Sequence, residues 1–169
     1  AQLLAAVTPQ GEAYRIIFIH VPAAWMSMFL YLVMAFWAAV GLVMNTRLSA
    51  MMASALAPTG ALFTFLALWT GSLWGRPTWG TWWVWDARLT STLVMWLLYW
   101  SFILLRRFGG PGSEALSSGV GLFGMALVPL VYWSVNVWRT LHPNTSVVPR
   151  LPASMGLPLW WDVVAFVCL

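Results

Sequence analysis

Long charge-free apolar runs, separated by short clusters of Arg, Asn, Gly and Pro, organise this chain. A bilayer's hydrocarbon core is about 30 Å thick, and a helix needs about 20 apolar residues to cross it. The run Ile16–Thr46 holds the first such span, predicted from about Ala23 to Met44. Pro22 suits a first helical position, and Asn45-Thr46-Arg47 closes the run. The second span is predicted over roughly Ala53 to Leu73, with Pro58 near its start. Leu89–Leu105 is the third; its length reaches about 25 Å, which suffices when the end residues snorkel. Arg106-Arg107 close it, and Gly109-Gly110-Pro111-Gly112 turn the chain. The fourth is predicted from about Leu116 to Val137, kinked at Pro129. A polar, proline-rich loop covers Arg139–Pro158, and Trp160 opens a fifth span carried only in part. The predicted fold class is all-α: a polytopic transmembrane helix bundle of about four full spans and part of a fifth. Residues 1–169 read as one membrane-embedded domain, an internal portion of a longer protein that is incomplete at both ends.

The order of the spans fixes which loops share a face. His20 precedes the first span, the loop after the second follows two crossings later, and His142 follows two more. The two histidines of the chain and that loop therefore lie on one side. The loop spends five of fourteen tryptophans between Trp74 and Asp86, namely Trp74, Trp79, Trp82, Trp83 and Trp85. Tryptophan joins a flat apolar face to one N–H donor, so it settles where one end is apolar and the other wet. An aromatic belt would use one or two per helix end. Five in a single segment punctuated by Gly75, Pro77 and Gly80 read as a binding surface for a flat, conjugated ligand.

Composition confirms the membrane class. Hydrophobic residues are 62% and charged residues 7% of the chain, with a mean hydropathy of +0.82, far from soluble usage. The net charge of +4 comes from eight arginines and no lysine, set against Glu12, Asp86, Glu114 and Asp162. The arginines are scattered singly or as one pair, so there is no basic patch of the kind that binds nucleic acid. Their density is higher in the short loops that Arg47 and Arg106-Arg107 occupy, while their number is higher on the histidine side, so the positive-inside rule leaves the orientation open. The lone Cys168 excludes a disulfide framework within the chain and a Cys-x-x-Cys-His heme attachment motif.

The candidate chemistry lies on the histidine face. His20-Val21-Pro22 and His142-Pro143 each set an imidazole near a proline, which disfavours helix in the residue before it. His142 is expected in extended chain past a helix end, and His20 just before a helix begins. A single histidine at a membrane edge is ordinarily an interfacial hydrogen-bonding residue; two beside a tryptophan shelf look more like axial ligands of heme iron. Zinc is disfavoured, since two histidines without cysteine or carboxylate partners fall short of a ligand set. Trp79, Trp82, Trp83 and Asp86 follow i, i+3, i+4, i+7 spacing and would share a helical face, with Trp85 turned elsewhere. Asp86 reads first as the N-cap of the third span and only second as a ligand contact. Arg76, Arg88, Arg139 and Arg15 could fork onto carboxylates of a ligand, or simply snorkel to the interface.

The run WGRPTWGTWWVWDARLTS over Trp74–Ser91 resembles the tryptophan-rich "WWD" domain of cytochrome c assembly membrane proteins, and its Asp86-Ala87-Arg88-Leu89-Thr90-Ser91 ending resembles the CcmC family. Related heme lyases carry Trp-Asp-Pro there, which this chain lacks. Ile19–Ser27 and Thr140-Leu141-His142 are also similar to CcmC, with Pro143 where that family more often has glutamine. The resemblance covers residues 15–142. It implies six spans in full, and heme b held through His20 and His142 as axial ligands, with Trp79, Trp82, Trp83, Trp85 and Asp86 around the porphyrin and Arg76, Arg88 or Arg139 on its propionates. It further implies a bacterial inner membrane or an organellar counterpart, with the site on the periplasmic face and delivery to the heme chaperone CcmE. The implied partners are the ABC transporter subunits CcmA and CcmB and the small subunit CcmD, in contact with membrane lipid. This would make the chain a transfer and export component rather than an enzyme. The alternatives are a heme lyase-type protein acting on apocytochrome c, and a permease subunit whose tryptophans only anchor it. An electron-transferring b-type cytochrome and a membrane transferase stand further off.

Overall fold

A computed structural model describes residues 13–145 and 147–169; Glu12, counted above, lies outside the described residues. The described residues form helices α1 (Ile17–Met44), α2 (Arg47–Trp79), α3 (Ala87–Phe108), α4 (Ser113–Met125), α5 (Leu127–Val137) and α6 (Ala153–Val167), with a 3-10 turn at Val148–Arg150. Four helical stretches are long and apolar enough to cross a membrane, α4 and α5 counting together as one. The chain is a multi-pass membrane protein with a helical bundle fold.

Helix α1 packs along α2 over the most extensive interface. On α2 that face consists of small residues, among them Ala53, Ala57, Ala61 and Thr64, all nearly inaccessible. Small side chains let helix backbones approach closely, which is how helices associate without a hydrophobic drive between them. Tyr31 and Tyr99 fill the centre of the bundle edge to face, with ring centroids 4.7 Å apart. The Tyr99 hydroxyl donates to the Ser27 carbonyl at 2.9 Å. Its tip lies where a Cβ on Gly60 would stand, so that position admits only glycine without a shift. Met34, Met95 and Phe102 complete this buried cluster.

Local chemistry sets the ends, and several lie beyond the sequence-based bounds. Helix α1 begins at Ile17, not Ala23, and takes Pro22 into its interior, so His20 sits within the helix rather than before it. Proline is tolerated inside spans because neighbouring groups satisfy the freed carbonyl. Helix α2 begins after Thr46, whose hydroxyl accepts from the Ser49 N–H, and ends at Gly80 with φ 77°. Glycine adopts that left-handed conformation at no steric cost. Trp74 and Trp79 thus stand on the last turns of a helix, and only Trp82, Trp83 and Trp85 lie in a true loop. Asp86 caps α3 as expected, Oδ1 accepting from the Leu89 N–H at 2.8 Å. The fourth span breaks at Ala126, where Pro129 has no N–H for the Met125 carbonyl. The last helix opens at Ala153 rather than Trp160 and holds Pro158 inside it.

Candidate functional site

His20 and His142 meet at one end of the bundle, their ring centroids 6.2 Å apart and their planes inclined by 40°. Helix α1 supplies His20 and the segment after α5 supplies His142. Trp138 ends α5 in extended conformation, and the chain beyond is held by Thr145, whose hydroxyl accepts from Asn136 Nδ2 at 2.9 Å. His142 therefore stands where expected, past a helix end. Trp74 packs on the His20 ring at 6.2 Å and on Trp79 at 5.7 Å.

Hydrogen bonding fixes both tautomers. His142 Nδ1 lies 2.8 Å from the Pro143 carbonyl, a pure acceptor, so Nδ1 carries the proton. His20 Nδ1 lies 3.0 Å from the Thr70 hydroxyl oxygen. That hydroxyl gives its own proton to the Leu66 carbonyl at 2.6 Å, so it accepts from His20. Each imidazole then offers Nε2 as an unprotonated base. Burial first, and the Arg88 charge second, push the His142 imidazole down to about 3, against the opposing pull of the Pro143 carbonyl. It is neutral at neutral pH.

Three adjoining clefts share His142. The largest, about 310 Å³, runs between Trp25, Trp160 and Tyr132 past both histidines. A second, of about 60 Å³, is walled by His20, Gly71, Trp74, Trp79, Arg88 and His142. The third, about 20 Å³, lies under the tryptophan loop among Trp79, Trp82, Trp83, Asp86 and His142. Two polar atoms there, Trp83 Nε1 and Asp86 Oδ2, are buried without a hydrogen-bond partner among the described residues. Such atoms are costly unless something pairs with them.

The expected helical face of Trp79, Trp82, Trp83 and Asp86 does not form, because Gly80 ends the helix between the first and the rest. The four residues line one cleft all the same, brought together by the loop. Ser72 and Thr81 hold that loop, their hydroxyls donating to the Trp82 and Trp83 carbonyls at 2.7 and 3.0 Å. Trp82 and Trp85 face outward, 54% and 74% exposed. The arginines divide. Arg88 lines the two larger clefts and donates to the Val131 carbonyl at 3.1 Å. Arg76 is exposed and donates to the Gly80 carbonyl, closing its own helix. Arg139 and Arg15 are exposed. Sequence reasoning placed Trp74 in the tryptophan surface but missed Thr70 and Gly71 beside His20, and Trp25 and Trp160 as cleft walls.

The family model for "Heme exporter protein C" matches residues 3–169. Heme exporter protein C of Escherichia coli strain K12 is 45% identical over 167 residues, covering 95% of this chain and 66% of that protein. Its counterpart from Bradyrhizobium diazoefficiens is 45% identical over 166 residues, covering 95% of this chain and 63% of that protein. A ccmC-like mitochondrial protein of cytochrome c biosynthesis from Marchantia polymorpha is 43% identical over 160 residues, 93% of this chain and 68% of that protein. This chain thus spans about two-thirds of the length of these relatives. The matched stretch contains both histidines, Arg88 and every residue of the tryptophan segment, so the chain that builds these clefts belongs to the heme exporter protein C family.

Proposed function

We propose that this chain holds heme b at the periplasmic face of a bacterial inner membrane, with His20 and His142 as axial ligands, and delivers it to the chaperone CcmE for cytochrome c maturation. The observation that carries the reading is the imidazole pair, with both Nδ1 atoms hydrogen-bonded and neither Nε2 given a hydrogen-bond partner among the described residues. The two rings stand 6.2 Å apart at one end of the bundle, and His20 and His142 would hold the iron between them through Nε2, each imidazole being an ordinary heme ligand.

The other residues suit the same ligand. Trp74 and Trp79 give flat apolar contact beside His20. Arg88 places a guanidinium in the cleft wall, where it would pair with a propionate. Trp83 Nε1 and Asp86 Oδ2 leave a donor and an acceptor in the cleft beneath. Bound heme supplies the iron for the two axial bonds and a vinyl edge open to a partner's histidine. Trp82 and Trp85 project outward and give the chaperone a surface to meet. CcmA, CcmB and CcmD would complete the exporting complex around the lipid-facing helices.

Full-length protein, produced with its transporter partners in heme-replete membranes, tests this reading by its absorption spectrum. The expected result is up to one low-spin, bis-histidine heme per chain. A colourless protein under those conditions overturns the reading and leaves a membrane subunit with an aromatic belt.

A further inference from the structure

Thr70 lies fifty positions from His20, on α2, and is 5% exposed. Its hydroxyl oxygen stands 3.0 Å from His20 Nδ1 while its proton is committed to the Leu66 carbonyl at 2.6 Å. The hydroxyl therefore meets the imidazole only as an acceptor. That neighbour selects the tautomer with Nδ1 protonated. The ring is held in place as well as in tautomer: a Cβ on Gly71 would lie 3.0 Å from His20 Cε1 and 3.5 Å from Nδ1, so the imidazole is seated against the α2 backbone. His142 has a looser mounting, since its Nδ1 bonds the carbonyl of the next residue in a segment without regular structure.

Resting on the heme reading, we infer that Thr70 is a positioning residue: through His20 Nδ1 it keeps Nε2 unprotonated and aimed at the iron, and strengthens His20 as a donor. A metal-bound imidazole that donates its second N–H to an acceptor is fixed in orientation and made more basic. Losing such a partner typically costs 10–100-fold in affinity. The serine and threonine hydroxyls can both accept here, whereas valine has the shape of threonine without the acceptor.

The test titrates hemin into full-length wild-type protein and its Thr70→Val and Thr70→Ser variants, and measures the midpoint potential of the bound heme. Thr70→Val should bind hemin roughly 10–100-fold more weakly. The heme it retains should have a higher midpoint potential, because a poorer donor stabilises the ferric state less. Thr70→Ser should return both toward wild type. A packing role alone would lower protein yield without moving the potential of retained heme, so an unmoved potential and affinity in Thr70→Val overturn the inference. Wild-type protein that takes up no hemin overturns the heme reading and this inference with it. If Thr70→Val does not accumulate, His20→Gly decides. Imidazole should refill the vacated site and 1-methylimidazole, which has no N–H to give, should refill it poorly; equal refilling overturns the inference.

Discussion

The two ends of this bundle are built from similar residues and do opposite things with them. At the far end the connections are short: Asn45 and Thr46 join α1 to α2, and residues 109–112 join α3 to α4. Each uses a left-handed residue to reverse the chain, Asn45 at φ 49°, Gly110 at 68° and Gly112 at 81°. Of the arginines there, Arg106 meets Glu114 at 3.1 Å and donates to the Ser118 hydroxyl at 3.2 Å. At the histidine end the connections are long, clefts open between them, and Arg88 has a backbone carbonyl as its hydrogen-bond partner. Two imidazoles stand 6.2 Å apart there, beside a buried indole N–H and a carboxylate oxygen that nothing among the described residues satisfies. Tyr31 Oη in the bundle centre and Arg106 Nε at the far end are also buried without a partner among the described residues, so what sets the histidine end apart is that its unpaired atoms belong to residues lining a cleft.

Substitutions of the same kind at the two ends should separate them. Arg88→Gln removes the cation in the cleft and should weaken hemin binding by roughly 10–100-fold, the scale of one or two charge-assisted hydrogen bonds. A titration that finds wild-type affinity in this variant would remove Arg88 from the site. Trp82→Ala and Trp85→Ala, on exposed indoles, should cost heme retention no more than about 1 kcal/mol each. They should still cut heme loading of the chaperone several-fold, measured as heme-linked chaperone per unit of protein. Equal losses in retention and loading would mean that these side chains hold heme rather than present it. Asp86→Ala should lower stability by about 1 kcal/mol through loss of the α3 cap. Asp86→Asn keeps an accepting oxygen and should cost less. Abolished heme binding in Asp86→Asn at normal protein level would turn Asp86 from a cap into a ligand contact. The smallest effect belongs to the far end. Arg106→Gln should change thermal stability by about 0–1 kcal/mol and leave the heme spectrum untouched.

The sequence shows the number of spans, because charge-free length is a one-dimensional property. It also shows the shared face of both histidines and the tryptophan segment, because span order alone decides it. The cap at Asp86 and the interruption near Pro129 were legible from single-residue chemistry. Helix ends were legible less often. Apolar length marks the membrane-spanning part of a helix, whereas α2 runs on through Trp74 and Trp79 until Gly80 stops it. The helix bearing His20 likewise starts six residues early, since a proline's local preference yields to a continuing span. Pairings across the bundle were not legible. A helix surrounded by lipid and protein is apolar on every side, so periodicity does not reveal which face meets which neighbour. Hence Thr70 could not be matched to His20 fifty residues away, and Arg88 could not be told from Arg76 or Arg139.

The central claim is that both imidazoles bind one iron, and the absorption spectrum of histidine variants tests it most directly. Full-length wild type, His20→Ala, His142→Ala and the double variant would be purified from heme-replete membranes and compared at equal protein. Each single variant should keep reduced heme with one open axial position that added imidazole refills, and the double variant should be colourless after purification. Wild-type low-spin spectra in both single variants would contradict the account and place the iron's ligands elsewhere.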